Sequence, residues 1–566
     1  MRSFEEHLPR AEQAARTGGD ILRADFHRAS GPRGEGDKAP ADTEAEQAIR
    51  DILLAGDPDF GFLGEETGSV PGSPGAPVWV VDPNDGTRDY VRGRRGSAVS
   101  IALVHEGRPV MGVVHPFGYP DDRGCMYTAV EGRAGVFKDG APCEARLAGR
   151  LEENHVVLVS GGGDRAAQAN LECTRPARVM AIPSIAHRLA RVAAGEAQAT
   201  TSLYSPKTWD FGAGHFLVLA AGGVIIDENR RPPVYGPDGM GSMPRLFAGS
   251  QAVAEALCAR KWDEAFRAER DMSVPVARLR KGGATRDPEL LSRAQGAFLG
   301  HLVGSGKAAP CPGQLGASGE LAVAAARSLL GFASDSASLA RTYAEWTASG
   351  FPESDPGMMR AAVGQPSASS LSALALARVT PLSLWGWEAD ENVLVSRVAE
   401  DAALTHPSPL VGQSAAVLAV ALVRLIGGHE ASAALDAAHA FARRSGYSRE
   451  VIEAILDSST APRAVRASED ADVRLAVRAA FFAITSLRSF SEAQQAATLW
   501  GRPGDALHAI VGALAGARFG RESLPPDDRT ALLSCRPLEG FTRTPRPAVY
   551  WGTDALTMAE ALLTAR

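Results

Sequence analysis

Cysteine is scarce. Six thiols in 566 residues, Cys125, Cys143, Cys173, Cys258, Cys311 and Cys535, include no C-x-x-C pair. That excludes the common zinc spacings and a disulfide framework, and the six read as buried thiols. An excess of positive charge is also missing: 59 Lys and Arg face 66 Asp and Glu, a net charge of −7. An acidic balance argues against nucleic acid as a partner. Long apolar runs are few, and the best of them, Val411 to Ile426, is broken by Gln413 and Arg424. It falls short of the ~20 residues of a membrane span, reads as a core helix, and leaves no membrane partner expected. No fixed period recurs, which argues against a solenoid. The opening stretch MRSFEEHLPRAEQAARTGGDILRADF alternates charge with Ala and Leu at helical spacing. It resembles neither a signal nor a transit peptide, so the expected compartment is cytoplasmic.

What is present has two textures. At about 100 to 200 residues per domain, the length calls for two or three large domains. Up to about residue 250, helical stretches alternate with short β-branched runs such as VWVVD, AVSIALVHEG, VMGVVH and GGVIID, the texture of an α/β fold. Residues 261–289 are charged, carry two prolines and a Gly pair, and keep no period, so a linker is expected there between domains at 1–260 and 290–566. Beyond it, Ala and Leu recur at i, i+3, i+4 in GELAVAAARSLLGF and GQSAAVLAVALVRLIGG, which predicts an all-α second domain.

Chemistry concentrates in VWVVDPNDGTRDY, read as a buried strand ending at Asp82, a turn at Pro83 and Gly86, and a helix start at Thr87. Two carboxylates three residues apart at a strand end converge on one point. GFLGEETG upstream offers Glu65 and Glu66, and SPKTWDFGAGH far downstream offers Asp210 at a helix start. Such oxygen donors suit a hard cation such as magnesium, and phosphate chemistry needs the added positive charge. Each piece alone has a plain structural explanation: an Asp-capped turn, a solvated acidic corner, a helix cap beside a core indole. Their joint occurrence is what carries weight.

The segments APADTEAE, GEE, DPNDGT and WDFGAG followed by AAGG, in that order, resemble the inositol monophosphatase family over about residues 5–260. The resemblance implies a layered αβαβα sandwich and a magnesium-dependent phosphomonoesterase with two or three ions. It makes Glu65, Asp82, Asp85 and Asp210 metal-binding side chains, with Asn84, where an aliphatic residue is usual, contributing its backbone carbonyl. It further implies in-line attack by a water that Glu65 and Thr87 orient and deprotonate, Asp42 supporting Thr87, and the backbone N–H groups of Gly86 and Thr87 holding phosphate oxygens. The partner is a small-molecule phosphate, and a homodimer is a possible assembly. Members that select inositol carry an acidic residue shortly before Trp-Asp. TTSLYSPKTWD has none, and the stretch looks closer to the branch that removes the 3′-phosphate of adenosine bisphosphates.

From about Arg293 to Gly520 the chain resembles the ADP-ribosylglycohydrolases through RAQGAFLGHLVGSGKAAP, PGQLGASGELAVAAARSLL, RVTPLSLWGW and GRPGDALHAIVGALAGARFG. The family's magnesium ligands are largely missing. Gly316, Ala317, Ser318 and Gly319 stand for T-D-D-T, Pro503 and Asp505 fall within the second cluster, and Gly304-Ser305-Gly306 replaces G-D-A. With so few oxygen donors a dinuclear magnesium site is not expected. TYAEWTASGFPESDPG and LTHPSP match as well, and Asp355, Arg378, His406, Asp505 and His508 lie on matched segments as candidate pocket residues. Against this stand plainer roles: a turn, an ion pair, a loop feature, a helix cap and a helix-face residue. The second domain is therefore read as degenerate, aiding recognition of a ribose-containing substrate or holding the chain together. Two alternatives stay open: a bifunctional enzyme that removes a phosphate and then hydrolyses an N-ribosidic bond, and an ADP-ribose binding module.

Overall fold

The structure is a computed structural model that describes residues 4–269, 274–331, 335–351, 355–463, 471–502, 504 and 506–565. The chain divides into two compact units, Met1–Val274 with Arg280–Arg286, and Pro275–Leu279 with Asp287–Arg566.

In the first unit, helices α1 (Leu8–Phe26) and α2 (Pro40–Gly56) precede an eight-stranded sheet ordered β2-β1-β3-β4-β5-β6-β7-β8. Its strands are β1 (Gly61–Gly64), β2 (Gly68–Val70), β3 (Val78–Asp85), β4 (Ala98–His105), β5 (Arg108–His115), β6 (Tyr127–Val130), β7 (Arg133–Lys138) and β8 (Ala141–Pro142), with the short α3 (Thr87–Tyr90) after β3. β1 and β3 run parallel, and the other pairs are antiparallel. Every residue of β3, VWVVDPND, is buried. Helices cover both faces of the sheet here, so the strand's first half, VWVV, is a continuous apolar run rather than an alternation.

A five-stranded sheet follows, ordered β10-β9-β11-β13-β12, from β9 (Val156–Val159), β10 (Arg178–Ala181), β11 (Ala199–Ser202), β12 (Val224–Ile226) and β13 (Leu246–Gly249). Its helices are α4 (Ala167–Thr174), α5 (Ile185–Ala193), α6 (Thr208–Ala220), α7 (Gln251–Cys258) and α8 (Trp262–Ala268). α5 and α6 touch strands of both sheets, α1 and α2 lie on the first sheet, and α4 and α7 lie on the second. The layers are thus αβαβα. Their middle joins Val80, Ala102 and Val114 of one sheet to Leu246 and Ala248 of the other through Leu189, Phe211 and Leu217. The stretch expected as linker, 261–289, begins as the ordered α8. Trp262 is buried against Phe247, and its indole N–H bonds the Leu257 carbonyl at 2.8 Å, so packing of this unit runs past residue 260.

The regular elements described for the second unit are all helices, joined by loops. Its central pair is Pro288–Ser305 against Ala506–Phe519, which meet backbone to backbone. A Cβ on Gly300 would stand 2.2 Å from the Gly512 carbonyl oxygen, and one on Gly296 2.2 Å from that of Gly516. Glycine at these positions is a requirement of close approach. Pro409–Ile426 is long and apolar enough to cross a membrane, yet 72% of it is buried inside the unit, as a core helix would be. All six cysteines are free, but only Cys173 and Cys535 are buried. The other four are half-buried, a correction to the expectation that all are core residues.

Candidate active site

The end of β3 builds the centre of the first unit's site. The register of β3 on β4 shifts between Asp82 and Asp85, and the chain turns at Gly86, whose φ of 107° suits only glycine, before α3 begins at Thr87. Asp82 is buried, and its Oδ1 accepts the Asn84 N–H at 2.8 Å. Glu65 arrives on the turn after β1, and Asp210 in the first turn of α6, where it accepts the Lys207 N–H at 2.7 Å. One carboxylate oxygen each from Glu65, Asp82 and Asp210 lies within 4.8 Å of the other two. Three anions this close, with no cation among them, destabilise one another. Burial first and mutual repulsion second push all three carboxyls above their ordinary values. That is the fit expected of a hard-cation site: oxygen donors only, converging, with charge in surplus.

Asp85 stands apart from this trio. Its Oδ2 accepts the Ser184 hydroxyl at 2.7 Å and the Ala186 N–H at 2.6 Å, both at the start of α5. Burial raises its carboxyl, while these bonds and the charge of Arg188 oppose the rise. Asn84 turns its amide inward, donating to Asp42 Oδ1 at 2.9 Å, and its carbonyl accepts from Thr87 Oγ1 at 3.0 Å. Asp42, buried on α2, also accepts from Thr87 Oγ1 at 2.9 Å. Burial carries the Asp42 carboxyl up to about 7 against the pull of the Asn84 and Thr87 bonds. The structure therefore brings Glu65, Asp82 and Asp210 into one cluster and seats Asp42, Asn84 and Thr87 as a second group continuous with it through the Asp82 to Asn84 bond.

Sequence reasoning passed over Glu46, Ser184 and Arg188. Glu46 lies one helical turn after Asp42 and accepts the backbone N–H groups of Glu66 and Thr67. Its spacing in ADTEAE was the available signal. Ser184 lies 99 residues from the Asp85 it touches and gives no local sign. Arg188 is buried, and its guanidinium donates to the carbonyls of Ser184 and Thr201.

In the second unit Asp355 and His406 lie together, Arg378 pairs with Asp401, and neither ring nitrogen of His508 has a hydrogen-bond partner among the described residues. Asp355 caps Pro356–Ala362, accepting the Met358 N–H at 2.9 Å, and His406 Nε2 lies 3.3 Å from its Oδ1. Burial would raise this carboxyl, yet the bonds from His406, Ser372 and Met358 hold it at about 2. Arg378 is fully buried, pairs with Asp401 at 2.7 Å, and lies over the Tyr343 ring at 4.5 Å. His508 is buried in Ala506–Phe519, and burial lowers its imidazole to about 4. Asp505 and Pro503 lie outside the described residues. Ala317, Ser318 and Gly319 form the first turn of Ala317–Leu330, with no side-chain cap. Among the described residues, no second group of three acidic, His or Cys donors converges.

Comparison with known proteins agrees with this geometry. The inositol monophosphatase family profile matches residues 4–267, and the ADP-ribosylglycohydrolase profile matches residues 272–563. A Nus factor SuhB from Xylella fastidiosa is 35% identical over 228 residues, 38% of this chain and 78% of its own length. An inositol-1-monophosphatase from Mesorhizobium japonicum is 31% identical over 260 residues, 43% of this chain and 92% of its own. A 3′(2′),5′-bisphosphate nucleotidase CysQ from Escherichia coli is 30% identical over 205 residues, 35% and 78%. The chain belongs, through its first unit, to the inositol monophosphatase family of metal-dependent phosphoric monoester hydrolases and, through its second, to the ADP-ribosylglycohydrolase family.

Proposed function

We propose that the first unit hydrolyses the phosphomonoester of a small nucleotide or ribose-containing metabolite, and that the second contributes recognition or support rather than metal-dependent glycoside cleavage. The observation that carries the reading is the convergence of Glu65, Asp82 and Asp210 with their charge unmet. These three, with Asp85 and the Asn84 carbonyl, would hold two or three magnesium ions. Bound there, magnesium would supply the positive charge that a phosphate ester and its departing alkoxide require.

The protein's own part is orientation. Thr87 has one hydroxyl proton and two acceptors for it, Asp42 and the Asn84 carbonyl. Whichever takes it, a lone pair of Oγ1 is left to accept a hydrogen bond from a water. Glu65, the most open of the three clustered carboxylates, receives that water's proton. Gly86 and Thr87, at the start of α3, present backbone N–H groups to phosphate oxygens.

For the substrate, the loop between β11 and α6 supports a nucleotide over a polyol. It carries no carboxylate, exposes 79% of Tyr204 and presents the Lys207 ammonium. An aromatic face and a cation suit a base and a second phosphate. The relative from Escherichia coli named for 3′(2′),5′-bisphosphate cleavage points the same way. A phosphate-release screen over sugar phosphates, inositol phosphates and mono- and bisphosphorylated nucleosides tests it. Turnover should favour nucleotides, cease in excess chelator and fall with lithium. Preference for inositol phosphates would overturn the substrate reading, and full activity in chelator the metal reading.

A further inference from the structure

Glu65 and Thr87 come from different turns, one after β1 and one after β3. Something must hold both turns to one template. The strands supply half of it: the Glu65 N–H donates to the Val81 carbonyl at 3.2 Å. The other half comes from α2, which presents Asp42 and Glu46 one turn apart on its buried face, 1% and 0% exposed. Asp42 holds Asn84 and Thr87. Glu46 Oε2 accepts the Glu66 N–H at 2.9 Å, and its Oε1 the Thr67 N–H at 2.6 Å.

The consequence for Glu65 is specific. The peptide before its Cα is bonded to β3, and the peptide after it, which contains the Glu66 N–H, is bonded to Glu46. With both flanking peptide planes held, φ and ψ of Glu65 are fixed and only its side-chain torsions remain free. Gly64 completes the seat: a Cβ there would stand 2.2 Å from Glu46 Oε1. A buried carboxylate bound to two backbone donors is a strong, charge-assisted anchor, and no side-chain cation bonded to Glu46 competes for it among the described residues.

We propose that Glu46 is a positioning residue for the phosphatase centre, fixing the backbone of Glu65 so that its carboxylate meets Asp82 and Asp210. With Asp42 it makes one face of α2 the template for both turns. The inference rests on the reading that this cluster holds the metal.

The test uses the full-length protein and its E46Q variant, which keeps the volume but sets an amide NH2 against one of two N–H donors. Calorimetric titration of the metal-free proteins with Mn2+ should show affinity falling about 10- to 100-fold in E46Q, the range seen when partners of metal ligands are removed. The magnesium concentration for half-maximal activity should rise by the same factor, kcat should fall, and substrate KM at saturating magnesium should hold. E46D, which keeps the charge but lacks the reach, should resemble E46Q, and carries the test alone should E46Q not fold. Wild-type Mn2+ affinity and kcat in a folded variant would overturn the role of Glu46. D82N is the control: if it binds Mn2+ as tightly as the wild type, the reading of the cluster fails and this inference with it.

Discussion

The acidic cluster of the first unit and the ion pairs inside the second meet their negative charge in opposite ways. In the first, Glu65, Asp82 and Asp210 crowd within 4.8 Å with no guanidinium or ammonium bonded to them among the described residues, and all three are pushed toward the protonated state. In the second, the buried carboxylates Glu320 and Asp401 each meet a guanidinium, and Asp355 meets an imidazole. Glu320 takes Arg546 at 2.7 Å and the Trp346 indole N–H at 2.9 Å, Asp401 takes Arg378, and Asp355 takes His406. A cluster left in surplus wants something from outside the chain, whereas a matched pair is finished on folding. That contrast in charge balance separates a site from a core.

The largest effect that would break the comparison is on catalysis. Asp82→Asn or Asp210→Asn should cut turnover about 10⁴-fold, some 5–6 kcal/mol of barrier. In metal-free buffer the same change removes one of three repelling anions, so the unfolding midpoint should hold or rise. A fall of several degrees would show Asp82 to be a structural carboxylate like those of the second unit. Next in size, the same class of substitution at Glu320 should have the opposite sign. Glu320→Gln leaves the Arg546 guanidinium buried without its counter-charge, at a cost of about 3–5 kcal/mol. Denaturant unfolding followed by tryptophan fluorescence measures it, since Trp346 bonds Glu320 directly. A loss below about 1 kcal/mol would mean that the pair behaves as a surface salt bridge.

The third effect is a pH dependence. The folded Asp355 carboxyl sits at about 2, below its unfolded value of about 3.9. A depressed carboxyl contributes stability that is fully present above the unfolded value and is lost as pH falls through the folded one. The window is therefore about pH 4 down to 2, and the stability at stake across it is about 2.5 kcal/mol. Asn also caps helices, so Asp355→Asn isolates the charge from the cap. The gap in stability between wild type and variant should be open at pH 6 and closed near pH 2. A gap independent of pH would assign the effect to packing.

What could be read along the chain follows the range of the forces involved. The β-branched runs and the i, i+3, i+4 pattern are local, and they distinguish the α/β unit from the helical one. D-P-N-D-G-T is local too: strand end, left-handed glycine and helix start are contiguous and legible, whereas the partners of Asp85, Ser184 and Ala186, are not. Glu65 and Asp210 needed the order of motifs as well. Partnerships across space left no mark. Ser184 reaches Asp85 over 99 residues, and Glu320 reaches Arg546 over 226. Arg378 and Asp401 are 23 apart on separate helices, and only packing makes them a pair. Glu46 is the intermediate case, since its position one turn after Asp42 was visible while its role as acceptor for Glu66 and Thr67 was not.

The smallest expected effect is a null, and it sharpens the comparison most directly. A cation that binds only the folded state stabilises it by RT ln(1 + [L]/Kd), about 2.7 kcal/mol at a hundredfold excess over Kd. Scanning calorimetry with increasing magnesium should therefore move the unfolding of the first unit upward. The second unit should not respond. Magnesium gives up its hydration shell reluctantly and needs anionic oxygens to compensate. Ala317, Ser318 and Gly319 supply no carboxylate, and Glu320, Asp401 and Asp355 are engaged by Arg546, Arg378 and His406. Asp505 alone cannot replace a set of ligands. Glu320→Gln, which marks the second unit's transition by lowering it, identifies which peak is which. A magnesium-dependent rise of that marked transition, or chelator-sensitive cleavage of ADP-ribosyl-arginine that survives Asp82→Asn, would show that the second unit assembles a cation site after all.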